Sequence, residues 1–600
     1  MCGIAGILSS KGINFLTAKL PLMTNSISHR GPDGFGYWYS ENKLLALGHR
    51  RLSIIDLSEN GSQPMHYLNR YTITFNGEIY NYIELREILI FKGYKFKSNS
   101  DTEVILAAYD FYGIDCLQQF DGMFAFALYD KQSNKLFCAR DRFGEKPFYY
   151  SFYNDDLYFA SEMKALWAVD IEKTKNETLL FNYLYHDLVE NPLNQEETFF
   201  SEIHKLKPGH YFIVDEQKKI VQKKYWELNI NTKNDFNPQK ASQIFKELFY
   251  NSVKKRLRSD VPVGSSLSGG LDSSSVVAAI SQYTTNNYTF SARFPGFSKD
   301  EGVFINEVVS KFKTKHHNIE INEKGILEDL EKLIEHQEEP FQTGSIYAQW
   351  CVYREARKNG ILVMLDGQGA DEFLCGYDKD FKFYLKEIYN NKILCQQFKR
   401  NLFTNQNYKV SLSYKDLSTM FFPDTFKFIT QLKKRLLPPF NPGINSEFFN
   451  AHKAKKSPFK EFNTLKEMLK YEMTNQGLEK LLKFADRNSM AHSVEVRLPF
   501  LNHELVEFVL GLKSELILKN GWSKAILRDA MENELPNNII RRKDKIGFEA
   551  PHNQWENSNK FQHLIKDSKS YLIKNKIITE EYSSDWKTVI TAKFLQNSKI

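Results

Sequence analysis

SLSGGLDSS (residues 266–274) is the stretch that decides how the second half of this 600-residue chain folds. A short apolar run leads into Ser268, Gly269 and Gly270, and a helical pattern begins at Leu271 and continues as DSSSVVAAI. Two glycines let a backbone approach a ligand closely. The helix that follows turns free N–H groups and a positive dipole end toward the same point, so an anion, and a phosphate above all, belongs there. The chain has no G-x-x-x-x-G-K-[ST], which sets this loop apart from the usual γ-phosphate-transferring loop. The plain alternative is a Gly-Gly turn capped by Asp272 and Ser273.

Outward from the loop, SQIFKELFYNSVKKRL (242–257) has apolar residues at helical spacing, and NYTFSARF (287–294) and ILVMLDG (361–367) read as further strands. Strands alternating with helices predict a doubly wound α/β sheet whose ligand site lies at the carboxyl ends of the strands. From about residue 380 to 600 the pattern is chiefly helical. MLDGQGADEFLCGY (364–377) is expected to set Asp371 and Glu372 in a glycine-flanked turn pointing into the same crevice. Hard carboxylate oxygens beside a phosphate loop suit Mg²⁺, which makes Asp272 and Asp371 the candidate metal ligands. GWSKAILRDA (521–530) places Lys524 near a helix start, and RRKDKIGFEAP (541–551) adds Arg541, Arg542, Lys543 and Lys545. Charge building on a pentavalent phosphorus needs a positioned cation.

The first 225 residues use a different pattern: YTITF (71–75), MFAFALYD (123–130) and KLFCARD (135–141) alternate between turns, as strands and hairpins do. A mainly β domain with a few helices is expected there. The polar ELNINTKNDFNPQK (227–240) reads as a linker. At the start, MCGIAGIL places Cys2 where removal of Met1 would leave a thiol beside a free α-amine. An α-amine titrates at about 7.7–8.0 and a thiol at about 8.5, so the amine could take the thiol proton without a histidine. A glutamine-cleaving thiol needs three companions. FNGEIYN (75–81) offers Asn76 and Gly77, expected in a tight strand-end turn, as an oxyanion hole. GHRRLS (48–53) offers Arg51 for a carboxylate, and SNSDTE (98–103) offers Asp101 for an ammonium. Taken singly, these are a hairpin turn, a surface arginine and a helix cap.

Taken together they match known families. SGGLDSS resembles the pyrophosphate loop of the ATP pyrophosphatases, which cut ATP at the α-phosphorus. MCGIAGI, HRGPDG (29–34), GHRRLSIID (48–56), FNGEIYN, SDTEVIL (100–106), DGMFAFALYD (121–130) and ARDRFGEKPFYY (139–150) resemble the glutaminase domain of class II, N-terminal-nucleophile amidotransferases. SLSGGLDSS, LDGQGADEFLCGY, FADRNSMAHSVEVRLPFL (484–501) and GWSKAILRDA follow in the order of class B, glutamine-hydrolysing asparagine synthetases. The resemblance spans about residues 2–560.

It implies an αββα sandwich at 2–225, a linker at 226–240, and a doubly wound ATP pyrophosphatase domain with a helical carboxyl-terminal part at 241–560. A tail of unknown role follows at 561–600. It also implies a ligase that hydrolyses glutamine at Cys2 through a thioester, converts aspartate to β-aspartyl-AMP with ATP and Mg²⁺, and aminates it with ammonia carried through an internal channel. Arg51, Asn76, Gly77, Glu78 and Asp101 would form the glutamine pocket. Leu267, Ser268, Gly269, Gly270, Asp272, Ser273, Ala292, Gly367 and Gln368 would bind ATP and the acyl-adenylate. Asp272 and Asp371 would hold Mg²⁺, and Lys524 would stabilise the adenylation transition state. The family also leaves room for a homodimer.

Three residues depart from the pattern: Gln368 stands where some members carry Glu, Asp366 where Ser is common, and Asn502 where Asp is usual. The first two open the alternative of another carboxylate acceptor, in a sugar, a peptide or a secondary metabolite. A ring-closing relative has no need of Cys2, and a dead regulator would have lost it.

Bulk properties agree with this reading. Eighty basic and 73 acidic residues leave a net charge of only +7, with no basic block to support nucleic-acid binding. No stretch approaches the roughly 20 apolar residues of a membrane span, and the segment after Met1 lacks a basic n-region, so a cytoplasmic location is expected. Six cysteines (2, 116, 138, 351, 375 and 395) include no CxxC pair and are expected to be free thiols.

Overall fold

Period-two alternation in GIAGIL sets the first layer boundary. In the strand Gly3–Leu8, Ile4 and Leu8 join a cluster with Ala125, Ala127 and Cys138 of a second sheet, while Ala5 and Ile7 pack on Leu16, Leu20 and Met23 of the helix Ile13–Ser26. The second sheet repeats the pattern with its outer face reversed. Phe124, Phe126 and Leu128 bury against the helices Tyr82–Phe91 and Asp101–Tyr112, and Ala125 and Ala127 face the first sheet. The computed structural model, which describes residues 2–215, 220–230, 235–406, 408–421, 441–453, 458–543 and 550–597, thus has the expected helix–sheet–sheet–helix sandwich. Each sheet has six strands. In spatial order, the first runs His204–Lys205, Tyr149–Tyr153, Asp156–Ala160, Gly3–Leu8, Leu45–Arg51, Gly34–Tyr39. The second runs Ile220–Lys224, His210–Val214, Lys135–Arg140, Gly122–Asp130, Tyr71–Ile79, Met65–Tyr67.

The second half forms a five-stranded sheet, parallel throughout, from Val263–Ser266, Tyr288–Arg293, Lys315–Glu320, Val363–Leu365 and Glu495–Arg497. Spatially these lie third, second, first, fourth, fifth. The winding therefore reverses between the first and fourth strands, where a crevice opens at the carboxyl ends. SGGLDSS leaves the first of these strands and DGQGAD the fourth, so the switch point brings both motifs together.

Two strands of this parallel sheet have no counterpart in the sequence reading. KHHNIE (315–320) is an edge strand of mostly polar residues. EVR (495–497) is three residues long, and its Glu495 and Arg497 are fully buried as an ion pair at 2.5 Å. Neither gives the apolar run by which a buried strand is recognised. Within the expected linker, the helix Pro238–Arg256 already begins. Asn237 Oδ1 caps it by accepting the Lys240 N–H at 2.8 Å, with proline at the first helical position.

Two helices, Asn559–Lys574 and Asp585–Asn597, account for the described part of the carboxyl-terminal tail. Phe561 stacks on Trp586, Phe594 sets its ring edge-on to Phe199 and Phe200, and Tyr582 Oη donates to Leu184 O at 3.1 Å. The tail therefore packs on the amino-terminal half. Among the described residues no helix is long and apolar enough to cross a membrane, and all six cysteines are free.

Candidate active sites

Cys2 sits at the start of an interior strand of the first sheet, just before Gly3–Leu8, with its N–H donating to Asn76 Oδ1 at 3.0 Å and its carbonyl accepting from Arg30 Nε at 3.1 Å. Burial raises its thiol pKa. Asn76 and Gly77 do not form a strand-end turn; they lie within Tyr71–Ile79, paired with Gly122–Asp130. The reason is steric. Gly77 has φ +152°, and a Cβ there would stand 2.1 Å from Met123 O, so the strand distorts at the glycine instead of ending. With Oδ1 engaged by Cys2, the buried Nδ2 of Asn76 has no hydrogen-bond partner among the described residues, which suits a donor awaiting an oxyanion.

Around this thiol the charges are acidic. Glu78 Oε1 lies 3.3 Å from Arg497, and Asp101 accepts the Ile79 N–H at 2.8 Å. Burial, with the neighbouring Glu495 and Asp101 carboxylates adding to it, pushes Glu78 well above the usual range. Burial raises Asp101 to about 6. Glu495 and Arg497 come from the parallel sheet of the other half, so the pocket is closed by a residue pair the motif reading left without a role. Arg51 donates to Ser58 O at 2.8 Å and to Asp56 O, which pins the 56–58 loop rather than reaching into the pocket.

At the switch point, Gly269 has φ +74°, and a Cβ would come within 2.8 Å of Phe304, so the loop presses directly on the neighbouring helix Gly302–Phe312. Ser268 and Ser273 hydroxyls bond at 3.1 Å across the loop, leading into the ten-residue helix Leu271–Ile280. A cavity of about 1270 Å³ opens here, lined by Ser268, Gly270, Asp272, Ser273, Gly367, Gln368, Asp371 and Lys524 among others. Leu267, Gly269 and Ala292, expected at the nucleotide site, are not among its lining residues. Lys524 is buried and caps Ala525–Met531; its ammonium contacts Asp272 and lies 2.6 Å from Asp371. The two carboxylates outweigh the cost of burial and raise the lysine above its ordinary range. Since both reach one ammonium, their oxygens can converge on one cation, and hard oxygen donors beside a phosphate loop fit Mg²⁺.

Glu372 does not face the cavity. It is buried and accepts from Tyr377 Oη, because the turn closes as the short helix Ala370–Leu374, which sends adjacent residues in different directions. Arg542 lines the cavity and pairs with Glu301 at 2.7 Å, whereas Arg541 pairs with Glu532 on the surface. Lys543 Nζ donates to Thr404 O. Lys545 and Met1 lie outside the described residues. Asn502, the third departure, caps the helix His503–Gly511 and donates to Asp121 at 3.2 Å across the two halves.

The halves meet through buried charge. Arg30 bridges Glu162 and Asp486, Arg140 reaches Glu479, and Arg487 contacts Glu162 and Glu338. Asp141, the centre of ARDRFGEKP, accepts the N–H groups of Phe143, Glu145 and Lys146 and so shapes the loop that carries Arg140 inward.

A family model described as a glutamine amidotransferase domain matches residues 1–226, and one described as asparagine synthase matches 245–588. Asparagine synthetase [glutamine-hydrolyzing] 1 of Bacillus subtilis is 31% identical, over 98% of this chain and 94% of its own length. A putative asparagine synthetase [glutamine-hydrolyzing] 2 of Methanocaldococcus jannaschii is 39% identical over 63% of this chain and 76% of its own. The amidase chry2 of Gibberella zeae is 30% identical over 63% and 60%.

Proposed function

This chain belongs to the asparagine synthase family, with a glutamine amidotransferase domain ahead of the synthase domain, and on that premise we propose that it is a glutamine-dependent asparagine synthetase. The observation that carries the synthetase half is Lys524 held between Asp272 and Asp371 beside the SGGLDSS loop.

In the first site, with Met1 removed, the α-amine of Cys2 takes the thiol proton and the thiolate attacks the glutamine amide carbon. Asn76 Nδ2 and the Gly77 N–H stabilise the oxyanion. Glu78 and Asp101 hold the substrate ammonium, and Arg51 turns from the 56–58 carbonyls to the substrate carboxylate. In the second site, the loop from Ser268 to Ser273 and the start of its helix hold the ATP phosphates. Lys524 stabilises the charge that grows on phosphorus as a substrate carboxylate attacks and pyrophosphate departs. Asp272 and Asp371 would hold Mg²⁺, which neutralises phosphate charge when bound.

Aspartate is the proposed acceptor. Support for a different carboxylate comes from Asp366, an additional carboxylate on the cavity wall. Wild-type protein given ATP, Mg²⁺, glutamine and aspartate is expected to yield asparagine and AMP in equal amounts. AMP release that requires some other carboxylic acid would replace aspartate with that acid.

A further inference from the structure

The carboxylates that line the 1270 Å³ cavity differ in what neutralises them. Asp272 and Asp371 share Lys524, Glu301 pairs with Arg542, and Glu472 pairs with Lys379 at 2.7 Å. Asp366 is buried, 4% exposed, and its Oδ2 accepts from Tyr353 Oη at 2.6 Å. Its Oδ1 makes no hydrogen bond of ordinary geometry among the described residues, although the Ser266 hydroxyl and N–H stand near enough to the carboxylate to favour its ionised form and offset part of the burial. No cation among them forms an ion pair with it.

Its position in the fold is also distinctive. Asp366 follows the fourth parallel strand, and its N–H donates to Arg497 O at 3.0 Å. That strand is registered Leu365 against Arg497, and the Arg497 side chain reaches Glu78 of the Cys2 pocket. A second line of contacts leads the same way: Arg30 Nε donates to Cys2 O, Arg30 pairs with Asp486, and the Asp486 carboxylate acts electrostatically on Tyr353, which holds Asp366. Asp366 is therefore joined through Arg497 to Glu78 of the Cys2 pocket.

We propose that Asp366 is the general base of the amination step, accepting the proton that ammonia must lose as it joins the acyl-adenylate. The inference rests on the amidotransferase reading above. As the nitrogen lone pair forms the C–N bond, the carbonyl electron pair moves to oxygen. One N–H proton passes to Asp366 Oδ1, and the tetrahedral species then re-forms the carbonyl as the C–O bond to AMP breaks. A base is required because the nitrogen is cationic until that proton leaves. Burial raises the pKa of Asp366 above the usual carboxylate value, against the hydrogen bonds of Tyr353 and Ser266, and a more basic carboxylate is the better proton acceptor. The groups facing it are Tyr353, Ser266 and, through Tyr353, Asp486. Gln368, also on the cavity wall, is an amide and cannot serve.

The test separates the two half-reactions in the full chain with ATP, Mg²⁺ and aspartate. Asp366→Asn is expected to lower amide formation by about 10²–10⁴-fold, the usual worth of a general base, with either glutamine or ammonium chloride as donor. Aspartate-dependent ATP–pyrophosphate exchange should fall less than tenfold. In Asp366→Ser/Gln368→Glu, which moves the carboxylate across the same turn, amide formation should recover at least tenfold over Asp366→Asn. Equal loss of exchange and amination, or amination that survives Asp366→Asn, would overturn the assignment. Absence of exchange in the wild type would instead refute aspartate as the acceptor, and with it the step built on it.

Discussion

Around Cys2, the carboxylates of Glu78, Asp101 and Glu495 crowd about the guanidinium of Arg497, while in the large cavity most carboxylates meet their own cation. The first site is therefore left acidic and the second is largely compensated before any substrate arrives. Each arrangement suits what the proposed function asks it to hold. A pocket with spare negative charge stores destabilisation that a substrate ammonium relieves. A phosphate site needs its cation already in place, because charge on phosphorus grows faster than a long side chain can be reorganised.

The largest expected effect breaks the compensated side. Lys524→Met leaves Asp272 and Asp371 without their shared ammonium and removes the proposed transition-state cation. Pyrophosphate exchange should drop by about 10²–10³-fold or more, while glutamine hydrolysis at Cys2 stays within twofold. Equal loss of both would mean the sites are not chemically separable.

Next comes the acidic side. With a folded pKa of about 6, above its unfolded value, Asp101 binds its proton more tightly in the folded protein. Stability then falls as pH rises from about 4 to about 6 and stays lower above that, by roughly 3 kcal/mol for two units. Function runs the other way, since only the ionised form holds an ammonium. The KM for glutamine should climb about tenfold per unit as pH falls below 6, and ammonia-dependent synthesis should lack that dependence on Asp101. Asp101→Asn should raise Tm at pH 8 while weakening glutamine use; a lower Tm would show that the carboxylate is not strained.

Much of this contrast was legible in the sequence, and the reasons differ by region. Motifs that are continuous along the chain, such as SGGLDSS and MCGIAGI, carry their geometry with them, because a strand-to-helix loop or a strand start is a local object. Period-two alternation likewise revealed the strands at 71–79, 122–130 and 135–140. Residues that complete a site from the other half were not legible. Glu495 and Arg497 lie within a quoted motif, but nothing local says that a three-residue strand will carry them beneath Glu78. The sequence predicts a turn at Asn76 and Gly77 because glycine usually marks one, whereas pairing with Ala125 and Phe124 of the neighbouring strand keeps them extended. Glu372 and Asp371 are adjacent, and only the short helix shows that they diverge.

The smallest expected effect concerns the seam between the two regions. Asn502→Ala removes a helix cap and the contact to Asp121, which should cost about 1 kcal/mol in urea unfolding and leave both half-reactions unchanged. A tenfold loss of glutamine-dependent synthesis alone would give this cap a part in coupling.

On the proposed function, two chemically separate sites share one chain and the first supplies ammonia to the second. Cys2→Ala tests it directly, with asparagine formation from ATP and aspartate measured under saturating glutamine and, separately, under saturating ammonium chloride. The glutamine-dependent rate is expected to disappear while the ammonia-dependent rate stays within about threefold of wild type, as for distant sites that act independently. Retained glutamine use, or an equal loss of both rates, would contradict it.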